Sequence, residues 1–343
     1  MPAETVLVTG ATGFLGGNLA RRLLADGAQV RVLARSQSRA QPLAALGTQV
    51  IIGDVTSQQA VKAAIDGAQV VYHLAGRLFE PWVPAQEYAR VHVDGTQVLL
   101  DQCERTPGLT RLVHCSTTGV LGPTGDRPAA EDAPLRPGNA YEATKAEAEQ
   151  LVLGAGARGL PVVIARPGLV YGPGDVHLAG FFAAVLRRRF RPIGRRPVWL
   201  HPIYVDDLTT ALLACSRDEK AVGESFHLAA PRPVTLADLA QVIAQAAGTS
   251  AAGGFIPISA ARAVAWAGDL LPAQVRASAP LTTSRLDFLT HSRLYDVSKA
   301  ERLLGFTAST DLAAGITQAM TWYRRNGYLP PAEPAGQASG RAS

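Results

Sequence analysis

Thr5-Val6-Leu7-Val8-Thr9-Gly10-Ala11-Thr12-Gly13-Phe14-Leu15-Gly16 is the stretch on which the reading of the chain turns. A short apolar run ends in glycine, and the apolar spacing from Leu15 to Ala25 is helical, which predicts strand, tight turn and helix in succession. A sharp turn at Gly10, backbone access at Gly13 and close helix–strand packing at Gly16 would aim the first helical amides at a pyrophosphate, helped by the helix dipole. Thr12, Phe14 and Leu15 would line the same turn. The alternative is an ordinary strand-to-helix turn with incidental glycines.

Outward from this turn the pattern repeats. Gln29–Leu33, Val50–Ile52, Val70–Leu74, Arg111–Cys115 and Val162–Ala165 are further short apolar runs, separated by intervals long enough for a helix. Strands apolar on both faces need helices on both sides, so the expected fold is a doubly wound parallel α/β sheet of the Rossmann type. Beyond Asp175 the pattern is less regular, with helices expected over Phe181–Arg189, Val205–Cys215, Leu236–Ala247 and Leu312–Tyr323, and a strand over Ser225–Ala229. Residues 1–178 and 200–230 are read as a dinucleotide-binding domain, and 179–199 with 231–329 as a smaller, helix-rich substrate lobe. The tail 330–343 is poor in apolar bulk and is expected to be disordered.

Composition narrows the classes. The 343 residues are 47% hydrophobic and 18% charged, which excludes a disordered, collagenous or coiled-coil chain. No stretch approaches the ~20 apolar residues that would span a bilayer, and the N-terminus lacks an export signal. Cys103, Cys115 and Cys215 are odd in number and lack metal-ligand spacing, which suits reduced thiols in a cytoplasmic protein without a metal. The net charge of +5 concentrates in Arg187-Arg188-Arg189-Phe190-Arg191-Pro192-Ile193-Gly194-Arg195-Arg196. No nucleic-acid reading module accompanies it, leaving either a solvated basic surface or arginines that clamp a substrate phosphate.

Tyr141-Glu142-Ala143-Thr144-Lys145 places a tyrosine and a lysine four apart on one helix face, and only three other lysines occur, Lys62, Lys220 and Lys299. Asn139 with Glu142 reads as a capping-box start, which puts Tyr141 in the first turn. A free tyrosine has a pKa of ~10 and is a poor base, and an ammonium beside it would favour the phenolate and lower that pKa.

Together the glycine spacing, Gly-x-x-Gly-x-x-Gly, and the Tyr-x-x-x-Lys set resemble the extended short-chain dehydrogenase/reductase family, over roughly residues 4–326. The resemblance implies NAD(P) as cofactor and a small-molecule substrate. The place after the second strand that usually carries an acid for the ribose reads Leu33-Ala34-Arg35-Ser36, and an arginine there suits a 2′-phosphate, favouring NADP(H) over NAD(H). By the resemblance Asp54, followed by Val55, contacts adenine, Leu74-Ala75-Gly76 line the cofactor, and Pro167-Gly168 lie beside the nicotinamide. Counting back five from Gly122 gives Thr117 as the hydroxyl that bonds the reacting oxygen, with Ser116 as the alternative. Tyr141 would be the general acid/base, and Lys145 would also hold the nicotinamide ribose.

Tyr295-Asp296-Val297-Ser298-Lys299-Ala300 and Leu303-Leu304-Gly305-Phe306 are similar to the 3β-hydroxysteroid dehydrogenase and dihydroflavonol reductase branch, and to sugar-nucleotide epimerases. His92 departs from the family, which commonly has asparagine there, and reads as a satisfied core histidine. Dehydration is disfavoured, since Thr118 and Gly119 stand where dehydratases carry acids. The expected activity is an oxidoreductase acting on a secondary alcohol or ketone, with Leu78-Phe79-Glu80-Pro81-Trp82-Val83 as an apolar lid and Phe79 and Thr118 facing substrate. The alternatives are an epimerase recycling a tightly bound NAD, whose substrate diphosphate Arg195 or Arg196 would hold, and a catalytically silent NAD(P)-binding regulator. Homodimerisation through the helices bearing Asp94–Cys103 and Tyr141–Leu153 is a further family expectation.

Overall fold

The computed structural model describes residues 4–80, 82–272, 275, 279 and 281–331, so Pro81 and the tail beyond 331 lie outside the described residues. The strands are β1 (Thr5–Thr9), β2 (Gln29–Ala34), β3 (Gln49–Ile52), β4 (Val70–His73), β5 (Arg111–Cys115), β6 (Val162–Pro167), β7 (Leu169–Tyr171), β8 (Trp199–Leu200), β9 (Pro202–Tyr204), β10 (Ser225–Leu228) and β11 (Val234–Thr235). Seven form one parallel sheet in the order β10-β6-β5-β4-β1-β2-β3. The other four pair as β7 with β9 and β8 with β11. The strand order reverses between β1 and β4, where Thr9 sits opposite His73, and such a switch point opens a crevice at the strands' carboxyl ends.

Alternation along the strands supplies two cores. Val6, Val8, Val32 and Val113 pack on the helices Phe14–Ala25 and Val205–Arg217, while Leu7, Leu33, Val71 and Leu112 pack on Gln58–Ile65, Gly95–Cys103 and Ala140–Ala157. A third core joins Phe182, Leu200, Tyr204, Leu239, Ile243, Met320 and Tyr323 away from the main sheet. Among the described residues no helix is long and apolar enough to cross a membrane.

Two local features differ from expectation. The helix expected over Phe181–Arg189 spans Ala179–Leu186, because Arg188 adopts φ 55° and the Arg189 amide folds back onto the Ala184 carbonyl. The helix from Ala85 to Cys103 contains a π-helical turn at Arg90–Asp94, which rotates His92 inward.

Candidate active site

The glycine turn stands at the carboxyl end of β1. Gly10 has φ 72°, and a Cβ on it would lie 2.5 Å from the Leu74 carbonyl oxygen, while one on Gly16 would collide with the Gly10 carbonyl. Gly10 needs glycine for conformation as well as contact, and Gly16, inside the helix, for contact alone. Gly13 is the N-cap of the helix Phe14–Ala25, and no side chain caps it and no acid occupies its first turn. Its leading amides are therefore left for an anion, which is the chemistry of a pyrophosphate cradle.

Arg35 is exposed just past β2, beside Asp54. Burial works to raise the Asp54 carboxyl, but bonds from the Thr56 amide (3.0 Å) and hydroxyl (2.8 Å) and the charges of Arg90 and Arg35 hold it below its ordinary value. Val55 packs against Gly95, and Gly76 faces the His92 ring and the Lys145 ammonium. The Pro167 carbonyl accepts the Thr118 hydroxyl (3.1 Å), and the Gly168 amide is bonded to the Leu228 carbonyl. These positions are compatible with a dinucleotide lying across the switch point.

Asn139 caps the helix Ala140–Ala157 through the Glu142 amide (2.9 Å), which sets Tyr141 in the first turn. Glu142 answers by accepting from the Gly138 amide, one residue earlier than a capping box requires. The Tyr141 phenol lies beside the Thr117 hydroxyl, and its ring is edge-on to Phe79, Tyr88 and His92, with centroids 6.5, 6.0 and 5.5 Å away. Thr117, Tyr141, Lys145 and Phe79 are thus brought together.

The expected lowering of the tyrosine pKa is corrected. Burial pushes the Tyr141 phenol up, with Cys115 and Glu142 adding to it and the nearby Thr117 hydroxyl offsetting only part. Lys145 is itself buried, which lowers its ammonium, and its Nζ donates to the Cys115 carbonyl at 2.6 Å. Burial and the neighbouring acidic groups act in the same direction on the phenol, which favours its protonated form.

Beneath the phenol two neutral histidines brace the frame. The Arg77 amide donates to His92 Nε2 (3.0 Å), so Nδ1 carries the proton and donates to Thr144 Oγ1 (2.9 Å), whose own proton goes to the Ala140 or Tyr141 carbonyl. His73 Nε2 donates to Thr96, which donates to the His92 carbonyl, while the Thr9 hydroxyl donates to His73 Nδ1 and accepts from the Ala75 amide. Burial first, then the Lys145 charge, lowers both rings to about 3.

Tyr88 and Arg293, which reaches Glu142 at 3.5 Å, were not singled out from sequence, and His73 was read only as part of the cofactor-lining turn His73-Leu74-Ala75-Gly76, not as a bridge to Thr96. The polar ends of β1 and β4, Thr9 and His73, were the only visible signal for that bridge. Thr118 is buried, with its proton committed to Pro167 and the Tyr295 phenol beside it. Arg195 and Arg196 line a separate cavity of about 450 Å³, walled also by Val198, Leu236 and Phe255, to which Thr117, Tyr141 and Lys145 do not contribute.

Comparison with known proteins gives the family and the fold. Residues 6–229 match the model of the NAD dependent epimerase/dehydratase family. The 4-hydroxy-2-methyl-3-oxo-4-farnesyl-3,4-dihydroquinoline-1-oxide ketoreductase of Stigmatella aurantiaca is 32% identical, covering 97% of each chain. Sterol demethylase protein B of Methylococcus capsulatus is 31% identical over 95% of this chain and 100% of its own. Among solved structures, MoeE5 in complex with UDP-glucose and NAD is 28% identical and superposes with a TM-score of 0.74, covering 94% of this chain and 99% of that one.

Proposed function

Since the chain belongs to the NAD dependent epimerase/dehydratase family of extended short-chain dehydrogenases/reductases, we propose that it is an NADP(H)-linked reductase turning a ketone on an apolar skeleton into a secondary alcohol. The observation that carries this is the placement of Tyr141 in the first turn of the helix Ala140–Ala157, one turn before the buried Lys145 and edge-on to Phe79. The bound cofactor's chemistry is a hydride at the nicotinamide C4. Thr117 and Tyr141 orient the carbonyl oxygen, and the Tyr141 hydroxyl proton passes to that oxygen as the C=O bond becomes C–OH. The Lys145 ammonium, anchored on the Cys115 carbonyl, then stabilises the phenolate left behind.

On this reading the glycine turn holds the diphosphate, Asp54 lies at the adenine, and Arg35 binds the 2′-phosphate. Residues 1–178 and 200–230 carry the dinucleotide, and 179–199 with 231–329 the substrate. Phe79 and Tyr88 beside Tyr141 favour an apolar substrate, as do relatives named for farnesylated and sterol compounds. The buried free thiols Cys103, Cys115 and Cys215 suit a cytoplasmic enzyme, and pairing through the helices Gly95–Cys103 and Ala140–Ala157 would make it a homodimer.

The second reading, an epimerase with bound NAD, is favoured by the likeness to MoeE5. The separation of Arg195 and Arg196 from Tyr141 weighs against their holding its substrate. The test is NADPH oxidation against long-chain and polycyclic ketones, with Tyr141→Phe as control. The variant should bind nucleotide normally and lose turnover about 10²–10⁴-fold. Stoichiometric NAD released on denaturation, with interconversion of nucleotide sugars and no net redox, would overturn the reductase reading.

A further inference from the structure

The helix Ile258–Asp269 is built with its small side inward. Ala261, Ala265 and Gly268 are buried, the two alanines against Ile193, Leu281 and Leu286. At about 100° per residue the exposed arc carries Ser259, Ala260, Ala263, Val264, Trp266, Ala267 and, just past the helix, Leu270, with Arg262 at its edge beside Trp266. Trp266 is 66% and Leu270 65% exposed, and Phe255, Ile256 and Ile258 continue the apolar surface at the helix's start. Folding alone offers no reason to leave a tryptophan and a leucine of the same arc in water.

The surroundings are rich in arginine, with the helix's last residue, Asp269, bonded to the Thr283 amide. The segment leading into this helix is joined to the arginine run: the Gly194 amide bonds to the Ile256 carbonyl, Arg188 reaches Ser250, Arg191 reaches the Gly253 carbonyl, and the Arg195 guanidinium covers the Phe255 ring at 4.8 Å. Between Asp175 and Asp206, and between Asp238 and Asp269, the chain has seven arginines and no carboxylate. Arg188 also holds φ 55°, a conformation that favours glycine, so the basic run is kept at some conformational cost.

We infer that this face docks on an anionic lipid surface, with the helix Ile258–Asp269 lying in the plane of the interface and the arginine run against the headgroups. An apolar arc flanked by arginines is what such a helix needs, and tryptophan prefers the boundary between headgroup and acyl chain. A second copy of this chain is disfavoured as occupant, because two-fold pairing would bring the arginines of both copies together without carboxylates to meet them. The inference holds whichever reaction the enzyme catalyses.

Flotation of the full chain with vesicles tests it. Binding is expected to phosphatidylcholine vesicles that contain about a third phosphatidylglycerol, weakly to phosphatidylcholine alone, and with release near roughly 0.5 M salt. Trp266→Ser with Leu270→Ser, and separately Arg187→Gln with Arg189→Gln, should each weaken binding at least about tenfold. Nucleotide affinity and thermal midpoint should stay unchanged in both. Absence of flotation with the anionic vesicles, or flotation that both double variants leave intact, overturns the inference. Trp266-dependent dimerisation in sedimentation velocity without vesicle binding overturns it in favour of a second copy.

Discussion

At the scale of single residues, the site depends on side chains whose partners leave them one state. His92 binds the Arg77 amide on one side and Thr144 on the other, so it ties the loop after β4 to the helix that carries Tyr141. His92→Ala removes both bonds. Stability should fall by about 1–3 kcal/mol in urea unfolding, and turnover should fall with the nucleotide's affinity little changed. His92→Asn should recover part of both, since an amide also donates and accepts. Tyr141 and Lys145 stand out in the sequence by their spacing and the scarcity of lysine, and Thr117 only through the family resemblance. The direction of the Tyr141 shift was not legible there, because it depends on how much water the packed rings of Phe79, Tyr88 and His92 exclude.

At the scale of elements, the glycine turn shows what contact adds to conformation. Gly16→Ala would place a methyl against the Gly10 carbonyl, forcing the helix Phe14–Ala25 off β1. Nucleotide affinity should drop at least about tenfold and stability by about 1–3 kcal/mol. Gly180, inside the helix Ala179–Leu186, has open space where a Cβ would go. Gly180→Ala should therefore stabilise, by about 0.5–1 kcal/mol in the same unfolding experiment, through its backbone entropy alone. The sheet strands were readable to within a residue or two, since an apolar run buried on both faces is a local signal. The π-turn at Arg90–Asp94 and the early stop at Leu186 were not readable. Each follows from a bond or packing contact that neighbouring residues do not advertise.

At the scale of the whole molecule, buried histidines make the fold sensitive to acid. His73, His92, His114, His201 and His227 are all buried and all lowered, chiefly by desolvation, to about 3 for His73, His92 and His227 and about 4 for His201. Unfolding frees them to bind a proton near their ordinary 6.5, so the unfolded state gains protons first as the pH falls. Stability should be full above about pH 6.5 and decline below it, by up to ~1.4 kcal/mol per pH unit for each histidine. Thermal midpoints at pH 7.5 and 5.0 check this, with a lower midpoint at pH 5.0 expected. The doubly wound parallel sheet and the family of the chain were legible in its sequence alone, because apolar periodicity, glycine spacing and the Tyr-x-x-x-Lys pair are properties of neighbouring residues, whereas the order of strands around β1 was not. Only the tertiary structure decided that burial pushes the Tyr141 phenol up, that Arg293 reaches Glu142, that Arg195 and Arg196 line a cavity to which Tyr141 does not contribute, and that the arginine run borders an exposed apolar helix. Each of these depends on solvent exclusion or on contacts between segments distant in sequence, quantities that exist only once the chain has closed on itself.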